Sequence, residues 1–157
     1  MDHSKTAAEL FENGYNCAQA VAAAFCDVTG MEEQTAARLA SSFGGGMGRM
    51  REVCGAVSGM LLVAGCLYGY DTPGDNAGKK SHYARVQQMA GEFRETAGSI
   101  ICREILKNPP SDPNPTPRTA DFYKVRPCTR MVMLASRILD DYIAANPPEK
   151  QHGQPDL

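Results

Sequence analysis

Residues 53–70 read Val53-Cys54-Gly55-Ala56-Val57-Ser58-Gly59-Met60-Leu61-Leu62-Val63-Ala64-Gly65-Cys66-Leu67-Tyr68-Gly69-Tyr70, a stretch without a charged side chain. Its length approaches the minimum for crossing a bilayer. Its composition points elsewhere, because Ser58, Tyr68 and Tyr70 are polar and glycine recurs at 55, 59, 65 and 69. No aromatic belt or one-sided charge cluster flanks it, so nothing would orient it in a membrane. The stretch reads as a buried helix over 54–68 at the centre of a helical bundle, and the chain as one that does not span a membrane. Gly55/Gly59 and Gly65/Gly69 both have the spacing that lets helices approach closely.

Outward from this helix the apolar period stays helical. Helices are expected over 6–12 and over 17–28, the second capped by Asn16 and ended near Gly30. A third, over 32–43, places Ala36, Leu39, Ala40 and Phe43 on one face. The run Gly44-Gly45-Gly46-Met47-Gly48 must break it, since glycine at this density destabilises helix. After a turn at 71–76, residues 77–96 form a long amphipathic helix with Tyr83, Val86, Met89, Ala90 and Phe93 inward, stopped by Gly98. Ser99 can cap a short helix over 100–106. Pro109, Pro110, Pro113, Pro115 and Pro117 dictate an extended surface connection. Pro127 suits the first turn of a last helix through Met131, Leu134, Ile138 and Leu139 to Ala145. No sustained strand alternation and no internal repeat occurs. The expected fold is all-α, a compact single-domain bundle of about six or seven helices over 1–145, with a flexible C-terminal tail over 146–157.

The 157 residues carry a formal net charge of −2 and no long basic run, so there is no electrostatic footprint for nucleic acid. Met1-Asp2-His3-Ser4-Lys5 lacks a basic leader, and the apolar stretch 17–25 is short and alanine-rich with no cleavage site, so the chain is expected in the cytoplasm. Repeated cysteines in a reducing compartment point to metal binding, catalysis or reversible redox chemistry. The alternative is that all six are reduced packing residues. Position separates them. Cys17 follows Asn13-Gly14-Tyr15-Asn16, Cys54 follows the glycine loop, Cys102 follows Gly98-Ser99, and Cys128 follows Arg126-Pro127, all places where a helix would begin. A thiol at a helix head loses its proton more readily than one mid-helix. Cys26 and Cys66 sit later in apolar segments and read as core.

The glycine loop concentrates the chemistry. Gly44, Gly45, Gly46 and Gly48 can present backbone N–H groups as an anion or ligand loop, and Arg49 and Arg51 add positive charge ahead of Cys54. Both effects would lower the Cys54 pKa and make it the attacking sulfur. The same glycines read equally as a flexible interhelix turn. They lack the lysine and hydroxyl residue that end a phosphate loop, so no nucleotide is assigned.

Cys54-Gly55-Ala56-Val57-Ser58-Gly59 has the order Cys-Gly-Ala-x-x-Gly, and with it the chain resembles the C_GCAxxG_C_C family of small redox-active proteins. It departs from the spelled motif in having Val53 before the cysteine and Gly55 after it. The resemblance spans about residues 7–139 and equates the family's first cysteine with Cys17 in Tyr15-Asn16-Cys17-Ala18-Gln19-Ala20-Val21. The motif cysteine becomes Cys54 and the later two Cys102 and Cys128, with Cys26 and Cys66 outside the set. It implies redox activity. Members are often encoded near transporter genes, which implies an accessory role in handling a solute or metal.

Four such thiols admit two chemistries. In one, Cys54 attacks and a second cysteine resolves, so the protein is a thiol-based oxidoreductase needing no cofactor and serving a redox partner. In the other, Cys17, Cys54, Cys102 and Cys128 ligate a soft metal or an iron–sulfur cluster, although closely spaced cysteine pairs, the usual mark of zinc, are absent. A third reading is a non-enzymatic transporter-accessory or interaction protein whose glycine-rich helix packs on a partner, or on a second copy as a homo-oligomer. Met47, Met50, Met60, Met89, Met131 and Met133 are expected to fill the core. His82 is expected to face solvent, His3 and His152 lie in the termini, and no hydrolytic constellation is visible.

Overall fold

Several helix starts are set by side chains that accept a hydrogen bond from the backbone of the first turn. Asp2 accepts from the Ser4 N–H at the head of α1 (His3–Glu12). Asn16 and Gln19 form a reciprocal capping box at the head of α2 (Cys17–Ala24). The expected continuous second helix breaks at Phe25, and the single turn α3 (Cys26–Thr29) ends at left-handed Gly30. α4 (Glu33–Ala40) passes through a 3-10 turn, Ser41–Phe43, into α5 (Gly44–Met47), a turn in which Gly45 and Gly46 leave helical geometry. α6 (Gly55–Tyr68) is the central helix, and α7 (Asn76–Ala97) is the long one, capped by Asp75 and stopped by left-handed Gly98. α8 (Cys102–Ile105), α9 (Ala120–Val125) and α10 (Cys128–Ala145) complete the order. The computed structural model describes residues 2–149, and these form an all-α bundle whose one β pairing is an isolated antiparallel bridge between Val53 and Ile101. The tail expected beyond Asn146 falls, past Glu149, outside the described residues, as does His152.

α6 is buried along much of its length through Ala56, Val57, Met60, Val63, Ala64 and Leu67. It packs against α2 on one side and against α10 and α7 on the other, while α1 lies along α10. Gly59 lets α2 come this close: a Cβ there would stand 2.7 Å from the Ala18 carbonyl oxygen. The Gly55/Gly59 pair is thus used inside the bundle. A Cβ on Gly65 would meet nothing within 4 Å, so the second glycine pair is not a packing device here. Phe11, Phe25, Phe93, Met60, Met89 and Leu139 are the largest fully buried side chains, each contributing roughly 1.5–3 kcal/mol by leaving water. No helix among the described residues is long and apolar enough to cross a membrane.

Some expected inward residues point out. Leu39 is 58 % exposed, because α4 meets α2 through the small side chains Ala36, Ala37 and Ala40. Tyr83 lies outside, its hydroxyl within 3.2 Å of the Tyr70 hydroxyl. Met47 and Met50 are exposed on the glycine loop, whereas Met60 and Met89 are core. Cys26 and Cys66 are half-buried rather than fully packed. The opposite holds for His82, which was expected to face solvent. His82 is buried, with Nδ1 2.9 Å from the Arg85 guanidinium. His3 is buried too, its ring stacked on Phe25 at 4.2 Å and its nitrogens bonded to Asp140 and Asp27.

Candidate functional site

Cys17, Cys102 and Cys128 are the first residues of α2, α8 and α10, and Cys54 is the N-cap of α6. Their helices start at one end of the bundle, around a cavity of about 250 Å³ that all four cysteines line. Cys26 and Cys66 are not among the residues lining it.

Two backbone devices fix the sulfurs. The first is the short pairing of 51–54 with 100–103. Cys54 N–H donates to the Ile100 carbonyl at 2.7 Å, Cys102 N–H to Glu52 at 2.6 Å, and Arg103 N–H to Arg51 at 3.1 Å. This clamp holds Cys54 and Cys102 side by side across a long sequence gap. The second is the glycine loop, which folds back on itself. The N–H groups of Gly48 and Arg49 bond to the Gly44 carbonyl, that of Arg51 to Gly45, and that of Glu52 to Gly46. Of the four glycine N–H groups expected to form an anion loop, that of Gly48 is therefore spent inside the loop. Gly44, Gly45 and Gly46 do line the cavity, while Gly48 is exposed beside it. Gly46 has φ +70°, and a Cβ there would lie 2.7 Å from the Cβ of Cys102. Its lack of a side chain is what lets the loop lie against Cys102.

The proline-rich connection is tied across the cavity as a strap. Arg49 donates through Nε to the Asp112 carbonyl at 2.8 Å and through Nη1 to Thr116 Oγ1 at 2.6 Å. Arg51 Nε donates to the Pro110 carbonyl at 2.9 Å. At the strap's end Arg118 donates to the Phe11 and Tyr15 carbonyls at 3.0 and 3.2 Å and lies over the Phe11 and Phe122 rings. α9, which the proline content hid, follows directly, capped by Thr119. It brings Phe122 to the cavity wall and leads to Arg126, which also lines it.

The four thiols do not ionise alike. Burial pushes Cys54 up to about 12, even though its sulfur accepts hydrogen bonds from the Ala56 and Val57 N–H groups. The expectation that a helix head and nearby arginines would make Cys54 the thiolate is corrected by this loss of solvent. Burial also raises Cys102, against the pull of Arg51, whose Nη1 lies 3.7 Å from its sulfur. Cys17 is hydrogen-bonded to Cys128, and that bond, with burial, raises it well above the ordinary thiol value. Cys128 is the other half of the bargain. The Cys17 bond, helped by Arg126, Arg118 and Arg51, outweighs burial and brings it down to about 7. Arg118 and Arg126 were not singled out from sequence, though the adjacency Arg126-Pro127-Cys128 carried the same kind of signal as Arg49 and Arg51 before Cys54.

Among the described residues no three His, Cys, Asp or Glu side chains are placed to hold a metal ion.

The all-α bundle gathers four cysteines and four arginines, Arg49, Arg51, Arg118 and Arg126, around one cavity. Residues 15–142 match the family described as "Putative redox-active protein (C_GCAxxG_C_C)", and the chain belongs to that family. No curated protein and no solved structure matches it.

Proposed function

We propose that this protein is a thiol oxidoreductase in which Cys128 attacks and Cys17 resolves. The observation that carries the reading is that Cys17 and Cys128 line one cavity together with Arg51, Arg118 and Arg126, an arrangement that favours the thiolate on Cys128. A thiolate with pKa near ambient pH is well suited to exchange. Its sulfur attacks one sulfur of a disulfide, forming a mixed disulfide and expelling the other half as a thiolate. Cys17 then gives up its proton and attacks Cys128 Sγ, releasing the second half and closing a Cys17/Cys128 disulfide. Two electrons pass from the pair to the substrate, whose sulfurs both leave reduced. A reducing compartment such as the cytoplasm returns the pair to its dithiol form.

The test is anaerobic reaction of the reduced protein with an equivalent of hydroxyethyl disulfide. Both halves should be released as mercaptoethanol, and peptide mapping should find Cys17 joined to Cys128. Cys17→Ser should stop at a mixed disulfide on Cys128. Undiminished exchange by Cys128→Ser would overturn the assignment.

A further inference from the structure

The exchange step leaves one buried charge without a direct task. Arg51 is 4 % exposed, and its Nη2 has no hydrogen-bond partner among the described residues. Its other donors are engaged with the Pro110 carbonyl and Cys102 Sγ. Its backbone has φ +61°, a costly conformation for a residue with a side chain, held by the clamp that begins there. An unpaired donor on a buried guanidinium costs free energy until an acceptor arrives. Of the other cations lining the cavity, Arg49 is spent on the strap, Arg118 on carbonyls of Phe11 and Tyr15, and Arg126 lies over the Phe122 ring. Among the described residues no aspartate or glutamate lines the cavity, and Phe11, Ile105, Leu106, Phe122 and Met131 supply apolar wall. A space of about 250 Å³ furnished in this way suits a small molecule with an anionic head and a short apolar body.

We propose that Arg51 binds an anionic head group, so that the substrates of this cavity are low-molecular-weight disulfides or thiols carrying a carboxylate or a comparable oxyanion. The proposal rests on the thiol-exchange reading of the same cavity. Guanidinium recognises carboxylate through parallel hydrogen bonds, and the free Nη2 provides the first of them. The head group is then anchored at Arg51 while the sulfur end lies among the cysteines that share the cavity.

Three disulfides of matched length test it: dithiodipropionate, hydroxyethyl disulfide and cystamine, which are anionic, neutral and cationic. Initial rates with reduced wild-type protein should fall in that order. In Arg51→Met the ratio of anionic to neutral rate should drop roughly tenfold, the scale of one charge-assisted hydrogen bond, and Arg51→Lys should keep part of it. A ratio within one protein is insensitive to any change in thiolate fraction at Cys128. An unchanged ratio in Arg51→Met, or a wild-type preference for the neutral disulfide, overturns the proposal. If no disulfide reacts, the exchange reading falls, and the anion site is judged separately on unmodified protein by alkylating Cys128 with iodoacetate and with iodoacetamide. An iodoacetate-to-iodoacetamide ratio above that of free cysteine, lowered by added propionate, supports the site. A ratio equal to that of free cysteine rejects it, including where Arg51 variants fail to fold.

Discussion

Cys54 accepts hydrogen bonds from the Ala56 and Val57 N–H groups at a helix head, yet it keeps its proton to about 12 because it is only 6 % exposed. Cys128, also at a helix head, falls to about 7 because a neighbour donates to it and three arginines face it. The helix-head positions of Cys17, Cys54 and Cys128 were legible from Asn16, the glycine loop and Pro127, whereas α8 starts at Cys102 from Ile101 without a side-chain cap and Ser99 accepts from the Ile101 N–H instead. Which of the four would carry charge was not legible, since burial is set by residues far away in the chain. The Cys17 donor is the largest cause of the Cys128 shift. Cys17→Ala should therefore raise the midpoint of Cys128 alkylation toward the ordinary value of 9.0, and Arg126→Gln should raise it less. The pH dependence of iodoacetamide incorporation at Cys128 reads this, and an unmoved midpoint in Cys17→Ala would contradict it.

At the level of elements, the two glycine pairs of α6 separate cleanly. A Cβ at Gly59 would press on the Ala18 carbonyl, so Gly59→Ala should destabilise by about 1–3 kcal/mol, the usual penalty for overpacking. Gly65→Ala meets open space and should stabilise by up to about 1 kcal/mol through helix propensity. Urea denaturation under reducing conditions measures both, and equal effects would show that α6 does not pack as described. Gly46→Ala, with its left-handed backbone and the nearby Cys102 Cβ, should disturb the site more than the fold. Its expected signature is faster alkylation of Cys102 than in the wild type, with helical circular dichroism retained. Long periodic helices such as α7 and their stops were readable because period and breaker lie in the same local window. α9 was not, because it is short and follows a run of prolines. The 51–54 to 100–103 clamp has no period at all, and only the fold brings its halves together.

For the whole molecule, the thiols set how stability depends on pH. A buried thiol that stays protonated in the fold contributes stability below its unfolded pKa, and that contribution is lost as pH rises. For Cys54 the window runs from 9.0 up to about 12, and the full shift corresponds to about 4 kcal/mol. Cys17 and Cys102, both raised, act in the same sense. Cys128 has the opposite sign, adding stability between about 7 and 9.0. Reduced protein should therefore lose stability steeply above about pH 9, and Cys54→Ala should flatten that loss while lowering stability near neutrality. Urea midpoints across this range decide the matter, and a wild-type profile that stays level in alkali would count against the burial assigned to Cys54. The N-terminal helix belongs to the same whole: His3 ties α1 to Asp140 of α10 and Asp27 of α3, and Phe11 of α1 lines the cavity. This role of His3 was not legible in the sequence, because Asp27 and Asp140 stand at positions with no local relation to it.

The bundle gathers four cysteines into one cavity, and of these Cys128 is the thiol whose ionised form its surroundings favour. Pulse alkylation of the fully reduced protein from about pH 5 to about pH 11, with each cysteine quantified by mass spectrometry, tests it most directly. Cys128 should react first with a midpoint near 7, while Cys54 stays silent until far higher pH. Cys54 titrating first, with Cys128 at the ordinary value of 9.0, would contradict it.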